Sequence, residues 1–465
     1  MQVIYIGVWN TMRVIPIVRA DQADGQEKLS QIKQRLSLVP MLLAGLDAVP
    51  ESMCGQVRQI IADVHRRGDA ALVEYTRRFD HPTFSLDDLR VPERQINVAL
   101  AQADMKFMAA LDMAIANVRR YQQAMLAVVP PPIRPLGADS EAAQLAVRYE
   151  PLRRVGVYVP GGAGAYPSTV IMSVIPAQVA GVESICLCSP MRGGAVSPAV
   201  LAAAGRLGIR EIYAIGGPQA VAGMAFGTSR LPAVEKIVGP GNSYVQLAKK
   251  ELFGIVDIDS FAGPSEVIAL ADDTADARVV AAELLAQAEH APGSCLLITP
   301  SLDLARRVQL ELEAQLAMLP RRELTTKALE YASALIVTVD MNAAIRLVND
   351  FAPEHLQVTT CDVHDVVAKI RNAGAIFIGP HTPVAAGDYL AGPSHVLPTS
   401  GTARFFSGLS AESFRKRISI VELDSASLQT LGGSICDFAQ TEGFEAHARS
   451  VQTRLKNRGT RDVVG

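Results

Sequence analysis

Four side chains in the second half of the chain are of the types from which proteins build zinc sites. Gln287 and His290 stand three residues apart near the end of a predicted helix, DARVVAAELLAQAEH, so they share one face. Asp388 lies in a Gly- and Pro-rich loop, and His447 in the segment TEGFEAHARSV. Nitrogen and oxygen ligands with one carboxylate suit zinc. Singly, each has a simpler interpretation, such as a histidine favoured by the helix dipole or an aspartate in a turn, so a zinc site requires that the four converge.

A neighbouring pair, Glu354 and His355 in the motif FAPEHL, could transfer protons. A carboxylate and an imidazole are bases of different strength, which proton transfer in two steps needs. Pro353 disfavours helix at the residue before it, so the pair lies at a predicted helix-to-strand junction. In a regular strand adjacent side chains point to opposite faces, so joint action requires an irregular backbone. An exposed Glu-His pair without a catalytic role is the alternative.

Three glycine-containing turns follow strands of the predicted sheet. The first, in VGVYVPGGAGAYPSTV, precedes a helix, and the others are GGPQA at 216 and GPGNS at 239. At the carboxyl edge of a parallel sheet, such turns and the helix N-termini after them bind phosphates. The first departs from GxGxxG because Pro167 replaces the third glycine, so alone it is also consistent with a plain turn. Three turns at one edge favour a ligand cleft, and the first contains Gly161, Gly162 and Gly164.

Alternating strands and helices must position these groups. Residues up to about 150 are predicted to be mostly helical, and the prolines of VVPPPIRP end that region. Two series of strands separated by helices then indicate parallel crossovers, and the last 55 residues are predicted to be amphipathic helix. The predicted fold class is α/β, with two doubly wound, incomplete Rossmann-like parallel-sheet domains and smaller helical N- and C-terminal segments. The predicted strands are VGVYV, SICLC, EIYAIG, KIVG and VDID, then VIAL, CLLIT, ALIVTV, LQVTT and AIFI.

Composition excludes two classes of partner. Lys and Arg number 44 against 47 Asp and Glu, a net charge of −3, so neither nucleic acid nor a membrane surface is an expected partner. The most apolar stretch, Val170 to Cys188, is interrupted by polar residues and a proline, so no transmembrane span is expected. The apolar start lacks the basic residues and cleavage site of a signal peptide. Six cysteines without a CxxC pair favour a reducing compartment, and we expect a cytoplasmic protein.

Long motifs in a fixed order connect these observations. They include VGVYVPGG, GGPQAVAGMAFGT, KIVGPGN, AGPSEV, LLAQAEH, APEHL, GDYLAGPSHVLPT and TSGTARFF, between about residue 66 and the helix with His447. In these motifs the chain closely resembles the histidinol dehydrogenase family. The resemblance implies zinc-dependent oxidation of L-histidinol to L-histidine through L-histidinaldehyde, by two successive hydride transfers to NAD, in the last two steps of histidine biosynthesis. Ser394 departs from the family pattern, in which Asn is common before the loop histidine.

The resemblance also implies roles for individual residues. The ligands of one zinc ion per subunit would be Gln287, His290, Asp388 and His447. The catalytic bases would be Glu354 and His355, and the NAD contacts Tyr158, Gln219 and Asn242. The substrate would be contacted by Ser265, His395 and Glu442, together with His355 and the four zinc ligands. The implied assembly is a homodimer with shared active sites, in which Glu442 and His447 serve the site of the other subunit.

The implied organisation has four parts. They are an N-terminal extension (1–50), a first α/β domain with zinc and the bases (51–150 with 266–408), a second α/β domain on the NAD side (151–265), and a C-terminal helical segment that completes the partner subunit's site (409–465). Two alternatives stay open. One is a related zinc and NAD dehydrogenase of another small alcohol, such as a sulfonated propanediol. The other is a zinc hydrolase in which Glu354 activates water on an amide.

Overall fold

A computed structural model describes residues 15–37, 51–136, 143–161, 164–290 and 293–456. Contacts divide the chain into two compact units, Met1–Met125 with Arg153–Phe414, and Leu126–Leu152 with Arg415–Gly465. The domain boundaries given above stay a prediction. Gly162 lies outside the described residues, as do residues 1–14 and 38–50 of the predicted N-terminal extension.

The strands, in chain order, are β1 (Ile17–Arg19), β2 (Gln144–Pro151), β3 (Arg154–Tyr158), β4 (Ser184–Cys188), β5 (Ile212–Tyr213), β6 (Lys236–Val238), β7 (Asp257–Ile258), β8 (Ser265–Ala271), β9 (Gly293–Thr299), β10 (Ala334–Val337), β11 (His355–Thr359), β12 (Ala375–Ile378) and β13 (Arg415–Glu422). The α-helices are α1 (Ala23–Leu36), α2 (Glu51–Arg67), α3 (Asp69–Phe79), α4 (Glu93–Gln102), α5 (Met105–Met125), α6 (Pro167–Ala180), α7 (Pro198–Arg206), α8 (Gly217–Phe226), α9 (Ser243–Leu252), α10 (Ala277–Ala288), α11 (Leu302–Leu316), α12 (Arg322–Ala332), α13 (Met341–Phe351), α14 (Val363–Val367), α15 (Val384–Tyr389), α16 (Ser425–Thr441) and α17 (Glu445–Lys456).

The larger sheet of the first unit has six parallel strands in the order β1-β10-β9-β8-β11-β12. Its central strands are apolar runs buried on both faces, as parallel strands between helices must be. Along β8, Val267 and Ala269 face a core with α10, α11 and α12, whereas Ile268 and Leu270 face a second core with α1 and α13. The second predicted series of strands is confirmed, and β1 is added at one edge.

The smaller sheet of this unit has five parallel strands in the order β5-β4-β3-β6-β7, which confirms the first predicted series and the fold class. The chain leaves β3 for β4 and β5 on one side and returns to β6 on the other, so the order reverses between β3 and β6. A crevice forms beyond the carboxyl ends of strands at such a point. Gly239 allows close approach there, because its φ is +112° and a Cβ would overlap the carbonyl oxygen of Tyr158.

The second unit contains a two-stranded antiparallel sheet and a pair of helices. Strand β13 pairs with β2 from Arg415 opposite Pro151 to Glu422 opposite Gln144. Helices α16 and α17 pack around a small buried cluster that includes Cys436. The prediction of helix for the last 55 residues was wrong at β13, and β2, which follows the prolines of VVPPPIRP, was not predicted as a strand. Parts of their sequences, VRYE in β2 and RISI in β13, alternate apolar with polar residues, which is the period of a half-exposed strand.

Helix α6 is strongly apolar, and burial explains its composition. It begins with Pro167 as its first helical residue, just after the Gly-rich turn, and ends at Gly181 in a left-handed conformation. Apolar residues occur all round it because it is covered on every side by the first unit. Among the described residues, no helix combines the length and hydropathy needed to cross a bilayer.

Candidate active site

Opposite edges of the two sheets carry the candidate residues. Tyr158 ends β3 and the turn with Gln219 follows β5, both at the carboxyl edge of the five-stranded sheet, as predicted. Ser265 and His355, by contrast, are the first residues of β8 and β11, at the amino edge of the six-stranded sheet. Helix α10 leads from the carboxyl end of β8 back to the amino end of β9, so Gln287 in its last turn reaches that same edge.

The loop after α15 joins the two sets of residues. His395 Nε2 lies 3.4 Å from Thr169 Oγ1, and Ser394 Oγ donates to the carbonyl oxygen of Met172 at 3.0 Å. Both partners belong to α6, the helix that follows the Gly-rich turn. The Ser394 hydroxyl, at a position where Asn is common in the family pattern, therefore anchors the loop to the helix that follows β3 of the five-stranded sheet. His395 Nδ1 lies 3.1 Å from the carbonyl oxygen of Asp388, which orients the ring within the loop.

Glu354 and His355 form a buried pair, with exposed fractions of 6% and 4%. The exposed alternative is therefore wrong. Ala352 ends α13 with a left-handed φ of 50°, which is the irregular backbone that the pair requires. His355 Nδ1 then lies 3.5 Å from Glu354 Oε2. The same Oε2 accepts hydrogen bonds from Ser265 Oγ at 2.6 Å and from the backbone N–H of Glu266 at 2.9 Å.

The two nitrogens of the His355 ring have different surroundings. Nδ1 lies 3.1 Å from the carbonyl oxygen of Glu266, and a carbonyl oxygen can only accept, so Nδ1 carries a hydrogen. Nε2 is buried without a hydrogen-bond partner and lies 3.7 Å from Asp388 Oδ1. In the neutral ring, Nε2 is therefore the basic atom. It is also the atom left free for a substrate.

The pKa values of Glu354 and His355 depend on their burial and on the charged groups around them. Burial on its own lowers the pKa of His355, but the charges of Glu354 and Asp388 outweigh it and raise that pKa to about 9. Burial raises the pKa of Glu354 above its ordinary value, although the neighbouring His355 opposes the shift. Groups with such shifts in one cleft are typical of active sites.

Three of the four predicted zinc ligands lie in the first unit. Gln287 is buried, and its Nε2 donates to Ser265 Oγ at 2.7 Å, so a cation would meet the amide Oε1. Asp388 lies in α15, and Glu283 Oε2 accepts the N–H of Val384 at 3.0 Å, which ties the start of α15 to α10. Burial favours a higher pKa for Asp388, yet His355, and after it His395 and His290, hold that pKa below its ordinary value.

The remaining candidates, His447 and Glu442, are exposed and belong to the second unit. Within the described part of the chain, no group of three or more His, Cys, Asp or Glu side chains could hold a metal ion. Of the predicted ligands in the first unit, only His290 and Asp388 are of these types, since Gln287 is an amide. Three of the predicted ligands thus belong to the first unit, and the fourth belongs to the second.

A cleft of about 470 Å³ at the carboxyl edge of the five-stranded sheet is lined by all three predicted NAD contacts, Tyr158, Gln219 and Asn242. Gln219 is 1% exposed, and both polar atoms of its side chain lack a hydrogen-bond partner. Tyr158 accepts the N–H of Gly217 at 3.0 Å, which leaves its hydroxyl hydrogen for a ligand. Asn242 caps α9 by accepting the N–H of Val245 at 3.1 Å. Buried amides without partners are rare, so Gln219 indicates a polar ligand.

Comparison with known proteins identifies the family of this chain. The family model described as histidinol dehydrogenase matches residues 47–455. The chain belongs to the histidinol dehydrogenase family. A histidinol dehydrogenase of Rhodopirellula baltica is 48% identical over 405 residues, covering 86% of each chain, and one of Geobacillus kaustophilus is 45% identical over 431 residues, covering 92% of this chain and 99% of the relative.

The fold agrees with that of a solved family member. The crystal structure of histidinol dehydrogenase from Elizabethkingia anophelis superposes with a TM-score of 0.87 at 33% identity, covering 96% of this chain and 98% of that one. As a member of the histidinol dehydrogenase family, the chain is an NAD-dependent oxidoreductase of histidine biosynthesis. The cleft at the carboxyl edge and the buried pair of Glu354 and His355 are the features of this chain that such chemistry would use.

Two buried carboxylates next to the site were missed in the sequence. Glu266 is the second residue of the otherwise apolar strand SEVIALA, and Glu283 lies on the buried face of α10. Both are at most 9% exposed. An acidic residue inside an apolar strand, or on the apolar face of a helix, is the signal that could have found them, because charged groups are seldom buried without a partner.

Proposed function

We propose that the protein oxidises L-histidinol to L-histidine through L-histidinaldehyde, with two hydride transfers to NAD and one zinc ion per active site. The observation that carries the proposal is the buried Glu354–His355 pair, whose free Nε2 lies 3.7 Å from Asp388 Oδ1. Oxidation of an alcohol to an acid removes two hydrides and consumes one water, so the site needs a base for each proton released.

Zinc fits the donor set. Two imidazoles, one amide oxygen and one carboxylate, from His290, His447, Gln287 and Asp388, are ligands that zinc accepts, and a single carboxylate leaves the ion with net positive charge. When bound there, zinc supplies Lewis-acid and template chemistry to the substrate's alcohol, amine and imidazole. The chain's part is to fix those ligands, with Ser265 holding the Gln287 amide and Glu283 holding α15.

NAD fits the carboxyl-edge cleft. The partnerless amide of Gln219 and the hydroxyl of Tyr158 offer donors and an acceptor inside it, and Gly239 lets the ends of β3 and β6 approach closely at the switch point. When bound, NAD supplies the hydride acceptor for both oxidations. The cleft is lined by Gly161 of the turn that leads to α6, and α6 bonds the loop with His395, so the nucleotide and the substrate would meet near that helix.

His355 and Glu354 take different protons in this proposal. Proton transfer to His355 needs the neutral ring, which a pKa of about 9 favours only at alkaline pH. His355 Nε2 then accepts the hydroxyl proton of the alcohol during the first hydride transfer, while Nδ1 keeps its hydrogen bond to the Glu266 carbonyl oxygen. Glu354 then removes a proton from the water that adds to the aldehyde. His355 and Glu354 release these protons to solvent, and His355 then removes a hydroxyl proton from the aldehyde hydrate during the second transfer. Ser265 orients Glu354 for the water step through its 2.6 Å hydrogen bond.

The site is completed by a second copy of the chain in this proposal. Glu442 and His447 are exposed on the second unit, and that unit also exposes large apolar side chains, Phe438 at 74% and Val421 at 68%. Exposed apolar surface of this kind favours association. Glu442 of the partner subunit would pair with the substrate ammonium, and the partner subunit's His447 would be the fourth ligand.

A substrate comparison tests the proposal. Protein loaded with zinc is mixed with NAD and either L-histidinol or a sulfonated propanediol, and NADH absorbance is followed before and after chelation of the metal. We expect NADH with histidinol only and its loss on chelation. NADH with the propanediol alone would assign another substrate, and full activity after proven removal of the metal would refute the zinc.

A further inference from the structure

Glu266 is a buried carboxyl group to which no catalytic role has been given above. It is 5% exposed, and its Oε1 accepts two backbone hydrogen bonds, from Ser400 N at 2.9 Å and from Glu354 N at 3.3 Å. The main chain of the same residue bonds both bases, since its N–H donates to Glu354 Oε2 and its carbonyl oxygen lies 3.1 Å from His355 Nδ1. One residue therefore contacts the catalytic pair through its main chain and its side chain.

The two segments bonded by the Glu266 carboxyl group are those with a strained backbone. Of the residues that the structure describes, Ala352 and Ser400 are the non-glycine residues with φ in the left-handed region, at 50° and 57°. Ser400 is bonded directly, and Ala352 lies two residues before Glu354. Such conformations persist only where their surroundings hold them, and they are often found at active sites.

We propose that the Glu266 side chain is a positioning residue, which holds Glu354 and His355 in register with Ser265 by accepting the N–H groups of Glu354 and Ser400. The inference rests on the proposed function of Glu354 and His355 as the two bases. Its physical basis is that proton transfer requires heavy-atom distances near 3 Å. On the β12 side the junction is held by the carbonyl oxygen of Glu354, which accepts the N–H of Ala375 at 2.9 Å, whereas the N–H of Glu354 is held by the Glu266 side chain.

The carboxyl group acts as a hydrogen-bond acceptor and not as a charge. Burial, with the charge of Glu354 adding to it, raises the pKa of Glu266 to about 8, so the neutral acid predominates at pH 7. A neutral acid has one acceptor oxygen and one O–H donor, and a glutamine side chain offers the same pair. The side chain in Glu266→Gln should therefore preserve the hydrogen bonds that the Glu266 carboxyl group accepts.

Four variants test this assignment in the zinc-loaded enzyme. Glu266→Leu removes the acceptor at similar volume, Glu266→Gln keeps it, and Glu266→Asp keeps the carboxyl group but shortens its reach. Ser294→Ala is the matched control, because Ser294 is the β9 residue paired with Glu266. Its buried hydroxyl donates to the carbonyl oxygen of Ala332, which is not part of the site. We expect kcat for histidinol to fall about 100-fold in Glu266→Leu and about 10-fold in Glu266→Asp, with KM values nearly unchanged. Glu266→Gln and Ser294→Ala should keep kcat near that of the wild type.

A second readout does not depend on turnover. Amide hydrogen exchange of peptides covering 351–356 and 399–402 should be faster in Glu266→Leu and Glu266→Asp, and unchanged in Glu266→Gln and Ser294→Ala. Wild-type kcat and exchange in Glu266→Asp would overturn the proposal even if the leucine variant does not fold. A Glu266→Gln variant as slow as Glu266→Leu would overturn the acceptor role. A wild-type enzyme that forms no NADH from histidinol would refute the proposed function instead, and the exchange experiment would still decide the role of Glu266.

Discussion

The hydrogen bond at Nδ1 determines what the His355 side chain can do. A backbone carbonyl oxygen fixes the hydrogen on Nδ1, so the neutral ring has its lone pair on Nε2, beside Asp388. The motif FAPEHL indicated two neighbouring groups able to transfer protons and the need for an irregular backbone, and the family resemblance was needed to predict that they are the catalytic bases. The motif could not reveal Glu266, because that contact joins residues 88 positions apart and depends on how β8 pairs with β11.

Glu354→Gln should separate the two oxidations. The amide keeps the size of the side chain but cannot take a proton from water, so conversion of histidinaldehyde to histidine should slow about 100-fold, while oxidation of histidinol to the aldehyde stays within about fivefold. Stopped-flow NADH formation with each substrate measures the two steps. Equal losses in both would contradict the assignment of water activation to Glu354.

At the scale of elements, the site is built where helices return to the amino edge of a parallel sheet. Gln287 lies in the last turn of α10 at this edge, and α13 ends there just before Glu354 and His355. Glu283 ties α15 to α10. The alternation of strands and helices predicted these elements well. Their arrangement at opposite edges of two sheets was not predicted, since a one-dimensional pattern does not specify how one sheet faces another.

Glu283→Ala should weaken the hold on zinc. Loss of the bond to Val384 frees the start of the helix that carries Asp388, and the loss of such supporting contacts lowers metal affinity about 10-fold or more. The measurement is the rate of zinc release to a coloured chelator. Glu283→Gln, which keeps an acceptor, is the matched control and should release zinc like the wild type, and His290→Ala, which removes a ligand, should retain none. Slow, wild-type release from Glu283→Ala would show that α15 is held by other contacts.

At the scale of the whole molecule, the chain has one large unit with two parallel sheets and one small unit with two exposed strands and two helices. The large unit was predictable because its strands are apolar and regularly spaced. The small sheet was missed because β2 and β13 are half-exposed and far apart in sequence, so neither has the apolar run of a buried strand. The homodimer stays a prediction from the family resemblance.

Subunit mixing tests that prediction. His355→Ala and His447→Ala should each be inactive, because one lacks a base and the other a ligand. After subunit exchange, half of the dimers in an equal mixture contain one chain of each kind, and each of these has one intact site if His447 serves the other subunit, so about a quarter of the wild-type activity should return. No recovery, with exchange proven by differently tagged subunits, would place His447 in the site of its own chain.

The central claim is that one site performs both oxidations, and the stoichiometry of NADH tests it most directly. A limiting amount of L-histidinol is converted to completion by the zinc-loaded protein with excess NAD, and NADH and histidine are counted in the same sample. The two hydride transfers predict two NADH for each histidine formed, with no free aldehyde trapped by a carbonyl reagent. One NADH per histidinol, with histidinaldehyde accumulating in solution, would contradict the account.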